Sequence, residues 1–287
     1  MDKDLLSILS EEQNKFSKGQ KIIAKYILSN YDKAAFMTAG RLGKIVGVSE
    51  STVVRFATEL GFDGYPSMRK ALQEMIRNRL TSVQRIEVAK SMIDDTDIVR
   101  SVISSDMQNL QATLDMLEQE NFNRFIDEIT SAENIYIVGM RTSTSLASFL
   151  GLYLNLLRKN VHVVHDTAAS EIYEQIIRIG EGDLFIGISF PRYSSHTVMS
   201  MQFAKSMGAK TAAITDSPAA PFSGIADISL YAKSDMVSFL DSLVAPMSLI
   251  NAIIVAVGLR RNEMVSETFE KLERIWLEHD VYEQTEH

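Results

Sequence analysis

Two stretches of the chain combine several hydroxyl side chains with an arginine, a composition suited to binding an anion. They read GMRTSTSLA, from Gly139 to Ala147, and ISFPRYSSHT, from Ile188 to Thr197. Each follows an apolar run and leads into residues with helical spacing. Hydroxyl groups and the N–H groups at a helix N-terminus both donate hydrogen bonds to phosphate. A helix cap accounts for one hydroxyl in each stretch, whereas four or five favour a phosphate or sugar-phosphate site.

A third stretch, residues 47–62, has the spacing of a helix-turn-helix. It reads GVSESTVVRFATELGF. Gly47 suits the end of one helix, and Ser49 can cap the next by accepting a hydrogen bond from the N–H of Thr52. Apolar residues then fall at the i, i+3, i+4 and i+7 positions of a core stripe. The members of this stripe are Val53, Phe56, Ala57 and Leu60.

The outward face of the second helix in this motif carries the residues that could touch DNA. Ser51, Thr52 and Arg55 lie there, and an arginine can bond guanine edges or phosphate in the major groove. The first 80 residues hold 13 Lys and Arg against 9 Asp and Glu, a balance of +4 that leaves −12 for the rest of the chain. This basic excess favours DNA over a face that touches only water. Nearby candidates for sequence-independent phosphate contacts are Lys44, Tyr65, Arg69 and Lys70.

A predicted parallel sheet would position the two hydroxyl-rich stretches. Short β-branched runs occur from residue 134 onward, separated by stretches of helical length. They read NIYIVG, VHVVH, DLFIGIS, KTAAITD and ISLYA. This alternation indicates an α/β three-layer domain with a five-stranded parallel sheet, which binds ligands at the carboxyl ends of its strands. In the flavodoxin-like order 2-1-3-4-5 the first and third strands are neighbours, so both stretches would face one pocket.

The segment between the two parts, from residue 81 to about 125, contains no Gly or Pro and predicts a long helix. Its apolar residues recur close to a heptad spacing. They are Val99, Ile103, Met107, Leu110, Leu114 and Leu117. This seam would be buried either against a partner subunit or against the following domain, and spacing does not choose between them. We predict an α-helical helix-turn-helix domain over residues 1–80, a helical linker over 81–124, and the α/β domain with a C-terminal helix over 125–287.

The amino-acid composition narrows the class of protein and the kinds of site that this chain can form. The 287-residue chain is 46% hydrophobic and 23% charged, which is typical of a protein with a substantial core. It has no Cys, which excludes thiolate nucleophiles, Cys-ligated metals and disulfides and fits a cytoplasmic location. One uncharged segment, residues 242–259, approaches the length of a membrane span. Because it contains Pro246, Ser248 and Asn251, we predict instead a buried core helix of a soluble domain and no membrane partner.

The helix-turn-helix stretch and the residues after it resemble the N-terminal module of the RpiR, or MurR, family of bacterial transcription regulators. The resembling segment reads GVSESTVVRFATELGFDGYPSMRKAL. That family's recognition helix reads V-S-x-x-T-V-x-R-F and closes in L-G-F. The matching positions are Val48, Ser49, Thr52, Val53, Arg55, Phe56, Leu60, Gly61 and Phe62. The resemblance implies operator DNA as a partner, bound by a homodimer or dimer of dimers with two recognition helices about one turn of DNA apart.

The segment from about Ile135 to Ala256 looks like a sugar isomerase (SIS) domain, which forms the effector half of RpiR regulators. Its first loop is typically G-x-G-x-S-x-x-x-A, matched by residues 139–147, and its second is S-x-S-G-x-T, matched approximately by residues 189–197. The resemblance implies that hydroxyl groups and adjacent backbone hold the phosphate of a phosphosugar. The residues carried over are Ser143, Ser189, Ser194 and Thr197, with Ser145 and Ser195 beside them.

Two departures from the family pattern affect which ligand the site is expected to bind. Arg141 replaces the second Gly of the first loop, and residues 190–193, which read FPRY, lengthen the second. Arg141 could block the pocket, or it could point inward and pair with an anion. We expect Arg141 and Arg192 to determine ligand choice. The ligand would be a phosphorylated sugar or a related small anion that carries another acidic group or has a different shape.

Catalysis is not expected from these residues. Aldose–ketose isomerisation needs a general base beside the sugar carbons, for which Glu171, His165 and His196 are the candidates. The helix that carries the catalytic Glu in SIS isomerases corresponds to residues 242–259, which contain no carboxylate. His162 and His165 lack a metal-ligand cluster, so neither a metal nor a cofactor is predicted. We therefore predict a DNA-binding regulator that senses the anion. The alternatives are a sugar-phosphate isomerase with an accessory module, and a DNA-binding protein whose SIS-like domain only dimerises.

Overall fold

The computed structural model describes residues 5–11, 15–76, 81, 83–86, 97–165, 169–236, 240–260 and 262–282. The chain divides into two compact units. The first comprises Met1–Ser104 and Met236–Asp241, and the second comprises Ser105–Asp235 and Ser242–His287. The chain therefore returns to the first unit for one short segment late in the sequence.

Short helices build the first unit. They are α1 (Leu5–Glu11), α2 (Lys18–Ser29), α3 (Tyr31–Ala34), α4 (Ala39–Val46), α5 (Glu50–Glu59) and α6 (Tyr65–Ile76). Their inward side chains form one core in which Ile23, Leu42 and Phe56 are fully buried. Aromatic and aliphatic burial of this kind supplies most of the free energy that holds short helices together, because such helices are marginal alone.

The turn between α4 and α5 has the tight geometry of a helix-turn-helix. Gly47 ends α4 in the left-handed conformation, with φ of 76°, and Ser49 Oγ accepts a hydrogen bond from the N–H of Thr52 (3.2 Å) at the start of α5. A Cβ atom at Gly43 would lie 2.8 Å from the carbonyl oxygen of Val48, so the turn closes directly onto α4. The cap predicted at Ser49 and the helix start predicted at about Glu50 are confirmed.

The connecting segment is less regular than predicted. A helical turn covers residues 83–86, and two longer helices follow, α7 (Ile98–Met116) and α8 (Gln119–Ser131). The prediction of one long helix is wrong, because the chain leaves the helix at residues 117–118 and begins a new one. Residues 82 and 87–96, which the same prediction included, lie outside the described residues.

The predicted seam is exposed on α7. Val99, Ile103, Met107 and Leu114 face solvent, while the buried residues of α7 are polar. Leu110 is half-buried, and Leu117 lies after α7 and packs partly against the core of the second unit. Of the two alternatives for this seam, burial against the following domain is therefore not observed for the four exposed residues.

The second unit contains a five-stranded parallel sheet. Its strands are β1 (Ile135–Gly139), β2 (Val161–Val164), β3 (Leu184–Ile188), β4 (Lys210–Thr215) and β5 (Ile228–Tyr231), in the order β2-β1-β3-β4-β5. Its further helices are α9 (Ser143–Leu157), α10 (Ala169–Gln175), α11 (Ser195–Ser206), α12 (Val244–Arg260) and α13 (Asn262–Glu278). The predicted sheet and its flavodoxin-like order are confirmed.

Helices cover both faces of this sheet. Ile135 and Ile137 point into a core shared with α8, α9 and α12, whereas Tyr136 and Val138 point into a second core shared with α10 and α11. All five residues of β1 and of β3 are buried, as expected for strands covered on both sides. The result is the three-layer α/β architecture that the sequence predicts.

The uncharged segment from residue 242 forms α12, one face of which packs on the sheet. Its buried residues are Ala245, Pro246, Leu249, Ile250, Ile253 and Val257, while Val255 and Leu259 are exposed. Among the described residues, no single helix is long and apolar enough to cross a membrane. The bent pair Val244–Arg260 and Val265–Glu278 meets the criterion together, by length and composition only.

Candidate functional site

The two hydroxyl-rich loops lie side by side at one edge of the sheet. Gly139, the last residue of β1, pairs with Ile188, the last residue of β3. Residues 140–142 and 189–194 therefore leave neighbouring strands at the same edge and lead into α9 and α11. The predicted juxtaposition of these loops follows from the strand order.

Hydrogen bonds hold the second loop in shape. Ser189 is buried, its N–H donates to the carbonyl oxygen of Ile214 on β4 (3.2 Å), and its Oγ accepts from the N–H of Ser194 (3.2 Å). Ser194 caps α11, since its Oγ accepts from the N–H of Thr197 (3.5 Å). These bonds bring the start of α11 over the end of β3. A 12-residue helix of this kind concentrates partial positive charge at that point.

Thr197 has a buried hydroxyl group that lacks a hydrogen-bond partner. Its side chain lies in the first turn of α11 and is fully buried, yet Oγ1 makes no hydrogen bond to the described residues. Its methyl group packs beside the backbone of Gly187, where an added Cβ atom would lie 3.4 Å away. Leaving a buried hydroxyl unsatisfied costs about 1–3 kcal/mol, so Thr197 Oγ1 is a candidate partner for a ligand atom.

The first loop closes against the start of α9. An added Cβ atom at Gly139 would lie 2.4 Å from the carbonyl oxygen of Ser143, so the strand end and the helix require glycine there. Ser143 is buried and Ser145 is exposed, while Thr144 Oγ1 donates to the carbonyl oxygen of Gly139 (2.9 Å). Of the hydroxyls predicted for this loop, Ser143 is thus the one inside the fold.

Both arginines occupy backbone positions that favour glycine. Arg141 has φ of 57° and Arg192 has φ of 63°, and both side chains are exposed. The left-handed conformation costs an L-residue other than Gly about 1–2 kcal/mol. Non-glycine residues in this conformation cluster at binding sites, where the surrounding structure holds them. Arg141 stands at the second Gly position of the loop pattern, and its backbone there is one that glycine would adopt.

A carboxylate beside the second loop was missed in the sequence analysis. Asp216 follows β4 and is buried, and its Oδ1 accepts hydrogen bonds from Tyr193 OH (2.7 Å) and Thr215 Oγ1 (3.3 Å). The Tyr193 ring meets Phe222 edge-on, with ring centroids 6.4 Å apart. The inserted residues of the second loop are thereby held by a ring contact and a hydrogen bond. The sequence signal that could have indicated Asp216 is its position, as an acidic residue directly after the fourth apolar run.

The candidate bases for catalysis are dispersed along the described chain. Glu171 is half-buried on α10, His196 is exposed on α11, and His165 is exposed after β2. The backbone of His165 exchanges two hydrogen bonds with the Gln175 side chain, each 3.0 Å. Within the described residues, no group of three or more His, Asp or Glu side chains could hold a metal ion.

The candidate DNA-contacting residues of α5 share an exposed face. Ser51 and Arg55 are exposed and Thr52 is half-buried. The hydroxyls of Ser51 and Thr52 both lie within hydrogen-bond distance of Ser49 Oγ, at 2.9 and 2.8 Å, and Arg55 Nε donates to the carbonyl oxygen of Ser51 (3.3 Å). Lys44 on α4 is also exposed. Short side chains at the N-terminal end of a helix can enter a DNA groove closely.

The prediction for Tyr65 requires correction. Its side chain is buried in the core of the first unit, and its hydroxyl donates a hydrogen bond to the carbonyl oxygen of Met37 (3.0 Å). Burial raises the pKa of Tyr65 to about 12. The hydroxyl fixes α6 to the chain before α4 and is not presented to a phosphate. Lys70 is exposed and Arg69 is half-buried on the same helix.

Comparison with protein families identifies both parts of the chain. A family described as "Helix-turn-helix domain, rpiR family" matches residues 3–79, and one described as "SIS domain" matches residues 128–256. The HTH-type transcriptional regulator HexR of Pseudomonas aeruginosa is 25% identical over 265 residues, covering 90% of each chain.

Solved structures agree with this division. A crystal structure of an RpiR transcription factor (sugar isomerase domain) from Sphaerobacter thermophilus is 29% identical, with a TM-score of 0.60, and covers 62% of this chain and 99% of that one. The Vibrio vulnificus NanR protein, solved in complex with ManNAc-6P, is 21% identical, with a TM-score of 0.58, and covers 95% of this chain and 98% of that one. At 21% identity, the similarity to the NanR structure shows a shared fold.

Proposed function

We propose that this chain, which belongs to the RpiR family of helix-turn-helix transcription regulators, binds operator DNA and changes its occupancy in response to a phosphorylated sugar or a related anion. The family accounts for the two parts of the chain, a helix-turn-helix domain and an SIS domain. The DNA-binding residues and the effector site are our own assignment. The buried, unsatisfied hydroxyl of Thr197 is the observation that carries the effector site.

DNA binding is assigned to the exposed face of α5. Ser51, Thr52 and Arg55 lie at that face and reach base edges in a major groove, while Lys44 and Lys70 supply phosphate contacts. Arg69 also remains a candidate for a phosphate contact, because its side chain is only half-buried. The basic balance of the first 80 residues supports this orientation toward a polyanion.

The anion is assigned to the edge of the sheet between β1 and β3. The N-terminus of α11 and Thr197 provide donors at one side, and Ser143 lies at the start of α9 on the other. Ser189 and Ser194 shape this cradle through the bond between them, and Ser145 and Ser195 are exposed at its rim. Hydroxyls and N–H groups in this arrangement suit phosphate oxygens.

Ligand choice is assigned to the two arginines. Arg141 and Arg192 lie on neighbouring loops, are exposed, and carry permanent positive charges that pair with carboxylate or phosphate. Asp216 lies next to the second loop, and its negative charge would repel a further anionic group of the ligand there. We therefore expect an effector with a second acidic group placed toward the arginines rather than toward β4.

Regulation rather than turnover is the role that fits these residues. Helix α12 contains no carboxylate, so it offers no general base to the sugar carbons. A regulator must instead bind its effector with different affinity in two arrangements, because only then does ligand change DNA occupancy.

The effector assignment is tested by thermal unfolding of the full chain with a panel of hexose 6-phosphates, phosphosugar acids and inorganic phosphate. A ligand present at about 100 times its Kd stabilises the native state by roughly 2.7 kcal/mol. We expect a shift for at least one member, its loss in the Ser189→Ala/Thr197→Ala variant, and its retention in Ser206→Ala, which removes an exposed hydroxyl at the far end of α11.

The same variants separate the effector site from the DNA site. Operator binding by Ser189→Ala/Thr197→Ala without effector should equal that of the unaltered chain, because neither residue lies in the helix-turn-helix. A shift that persists in this variant would remove the cradle from the proposal. Turnover of any panel member by the purified chain would instead support the isomerase alternative, and no shift with any member would support a domain that only dimerises.

A further inference from the structure

The exposed side of α5 carries one apolar side chain among polar ones. Four exposed residues recur there at the i, i+3, i+4 and i+7 positions, the same spacing as the core stripe on the opposite side of this helix. They are Ser51, Val54, Arg55 and Thr58, which we call the outer stripe. Val54 is the apolar member of the outer stripe, and it is 39% exposed.

The polar members of the outer stripe are bonded to the helix that carries them. Arg55 Nε donates a hydrogen bond to the carbonyl oxygen of Ser51 (3.3 Å). Thr58 Oγ1 donates to the carbonyl oxygen of Val54 (3.2 Å). The Ser51 hydroxyl lies 2.9 Å from Ser49 Oγ, at the cap of the helix. These bonds hold the polar groups against the helix surface, and Val54 keeps its exposure between them.

Folding gives no reason for a valine at this position. A side chain this exposed gains little from burial, and a β-branched residue has a lower helix propensity than Ala, Lys or Glu. Helix α5 contributes to the core of the first unit from its other side, through Val53, Phe56 and Ala57. Single exposed apolar residues are common on protein surfaces. Val54, however, lies in the middle of the face to which DNA binding is assigned.

We propose that Val54 recognises thymine, by packing its methyl groups against the C5-methyl group of a thymine in the major groove of the operator. That methyl group is the apolar group that base pairs present in this groove, and the other groups there are hydrogen-bond donors and acceptors. The donors and acceptors suit Ser51 and Arg55, whereas the side chain of Val54 can form no hydrogen bond with them. Because the side chains around Val54 are short or bonded back to the helix, carbon atoms can approach within about 4 Å.

A protein partner fits the outer stripe less well than DNA does. Stable protein–protein interfaces bury about 800 Å² on each side around a cluster of large side chains, whereas this face offers one valine beside hydroxyls and an arginine. The basic balance of the first 80 residues also attracts a polyanion. Thymine recognition rests on the proposed function, because α5 must enter a DNA groove. It adds the base that one side chain recognises there.

The test combines a change in the protein with the removal of one methyl group from DNA. The probe is a duplex that the unaltered full chain selects from a randomised pool. Each of its thymines is replaced in turn by 2′-deoxyuridine, which lacks only the C5-methyl group. Fluorescence anisotropy at fixed salt measures the affinities. At one thymine position we expect the replacement to weaken binding about fourfold, which is the effect of one buried methyl group.

Val54→Ala removes the two methyl groups that would make this contact. It should bind the thymine duplex at least about fourfold more weakly than the unaltered chain does. It should also bind the thymine and deoxyuridine duplexes equally at the sensitive position. Alanine has the higher helix propensity, so loss of α5 would not explain weaker binding. The matched control is Val255→Ala, which alters an exposed valine on α12 and should retain the fourfold discrimination.

Three outcomes would overturn thymine recognition by Val54. In the first, no thymine position responds to deoxyuridine, and in the second, Val54→Ala discriminates between the two duplexes as strongly as the unaltered chain does. Either result leaves sequence-selective DNA binding, and hence the proposed function, in place. In the third, the unaltered chain selects no sequence from the pool, which overturns the DNA-binding part of the proposed function as well. The two failures are therefore distinguishable.

Discussion

Thr197 and Tyr65 both carry buried hydroxyl groups, and they differ in their hydrogen bonds. Tyr65 donates to the carbonyl oxygen of Met37, whereas Thr197 Oγ1 has no partner among the described residues. A satisfied buried hydroxyl stabilises the native state by about 1 kcal/mol, and an unsatisfied one destabilises it. Folding alone therefore accounts for Tyr65, whereas the hydroxyl of Thr197 is a candidate for contact with a bound ligand.

Tyr65 predicts a loss of stability at alkaline pH. Its pKa rises from 10.0 to about 12 on folding, so the unfolded chain loses this proton first as the pH increases. The contribution is fully present below pH 10 and is lost as the pH approaches 12. Tyr65→Phe should unfold more easily at pH 8, by about 1 kcal/mol, because the Met37 carbonyl loses its donor.

The comparison that isolates this effect is urea unfolding at a series of pH values. Between pH 10 and 12, Tyr65→Phe should lose roughly 2–3 kcal/mol less than the unaltered chain. Tyr26→Phe, in α2 of the same unit, should follow the unaltered chain because it retains Tyr65. Parallel losses in the unaltered chain and in Tyr65→Phe would show that another group causes the alkaline transition.

At the scale of elements, α5 presents one long basic side chain among short ones. Arg55 is exposed there and is oriented by its bond to the carbonyl oxygen of Ser51. Arg55→Ala should weaken operator binding by roughly 1–3 kcal/mol and relax base preference at one position of each half-site. Fluorescence anisotropy at fixed salt, on operator and on unrelated duplex, measures both effects.

The matched control is Arg124→Ala on α8, which removes the same charge from an exposed site in the second unit. It should leave operator affinity nearly unchanged. Equal affinities for the Arg55→Ala variant and the unaltered chain would exclude Arg55 from the interface.

Local sequence signals were sufficient for most elements. The cap at Ser49 and the apolar stripe of α5 predicted that helix, and β-branched runs predicted all five strands. The break between α7 and α8 had no such signal, since residues 117–118 include neither Gly nor Pro. The orientation of α7 depends on bonds to Lys233, Asp235 and Ser242, more than 100 positions away, and no local pattern contains that information.

The candidate site was predictable in part for the same reason. Strand order brings the two hydroxyl-rich loops together, so the sequence could locate them. It could not distinguish the exposed Ser145 and Ser195 from the buried Ser143 and Ser189, because burial depends on how each loop folds. Burial also removed Tyr65 from the set of phosphate contacts.

At the scale of the whole molecule, the first unit is built from two distant parts of the chain. Met236 packs against its helical core, and Asp241 accepts two hydrogen bonds from the Arg85 guanidinium, at 3.0 and 3.1 Å. Arg85 is almost fully buried. A fragment ending near residue 80 would therefore lack part of this unit.

The Arg85–Asp241 pair predicts a large effect on stability. Replacing one member of a buried ion pair leaves the other charge without compensation and costs about 3–5 kcal/mol. Because the Arg85 side chain is 2% exposed and that of Asp241 is 17% exposed, Asp241→Leu should approach that loss in denaturant unfolding, Arg85→Met should lose less, and the double variant should recover part of the loss.

The control for this pair is Arg100→Met, which breaks a solvent-exposed ion pair with Asp97. Such pairs contribute about 0–1 kcal/mol, so little change is expected. Additive losses from Arg85→Met and Asp241→Leu would mean that the two side chains do not stabilise the fold through each other.

The left-handed backbone at Arg141 and Arg192 has a consequence for how this protein can diverge. Codons for arginine and glycine interconvert by one base change. At these two positions the loop keeps its path with either residue, because glycine adopts the same backbone without strain. A single nucleotide substitution can therefore add or remove a positive charge beside the candidate effector site while the fold is unaltered. We expect effector preference to change faster between relatives of this protein than the architecture that surrounds it.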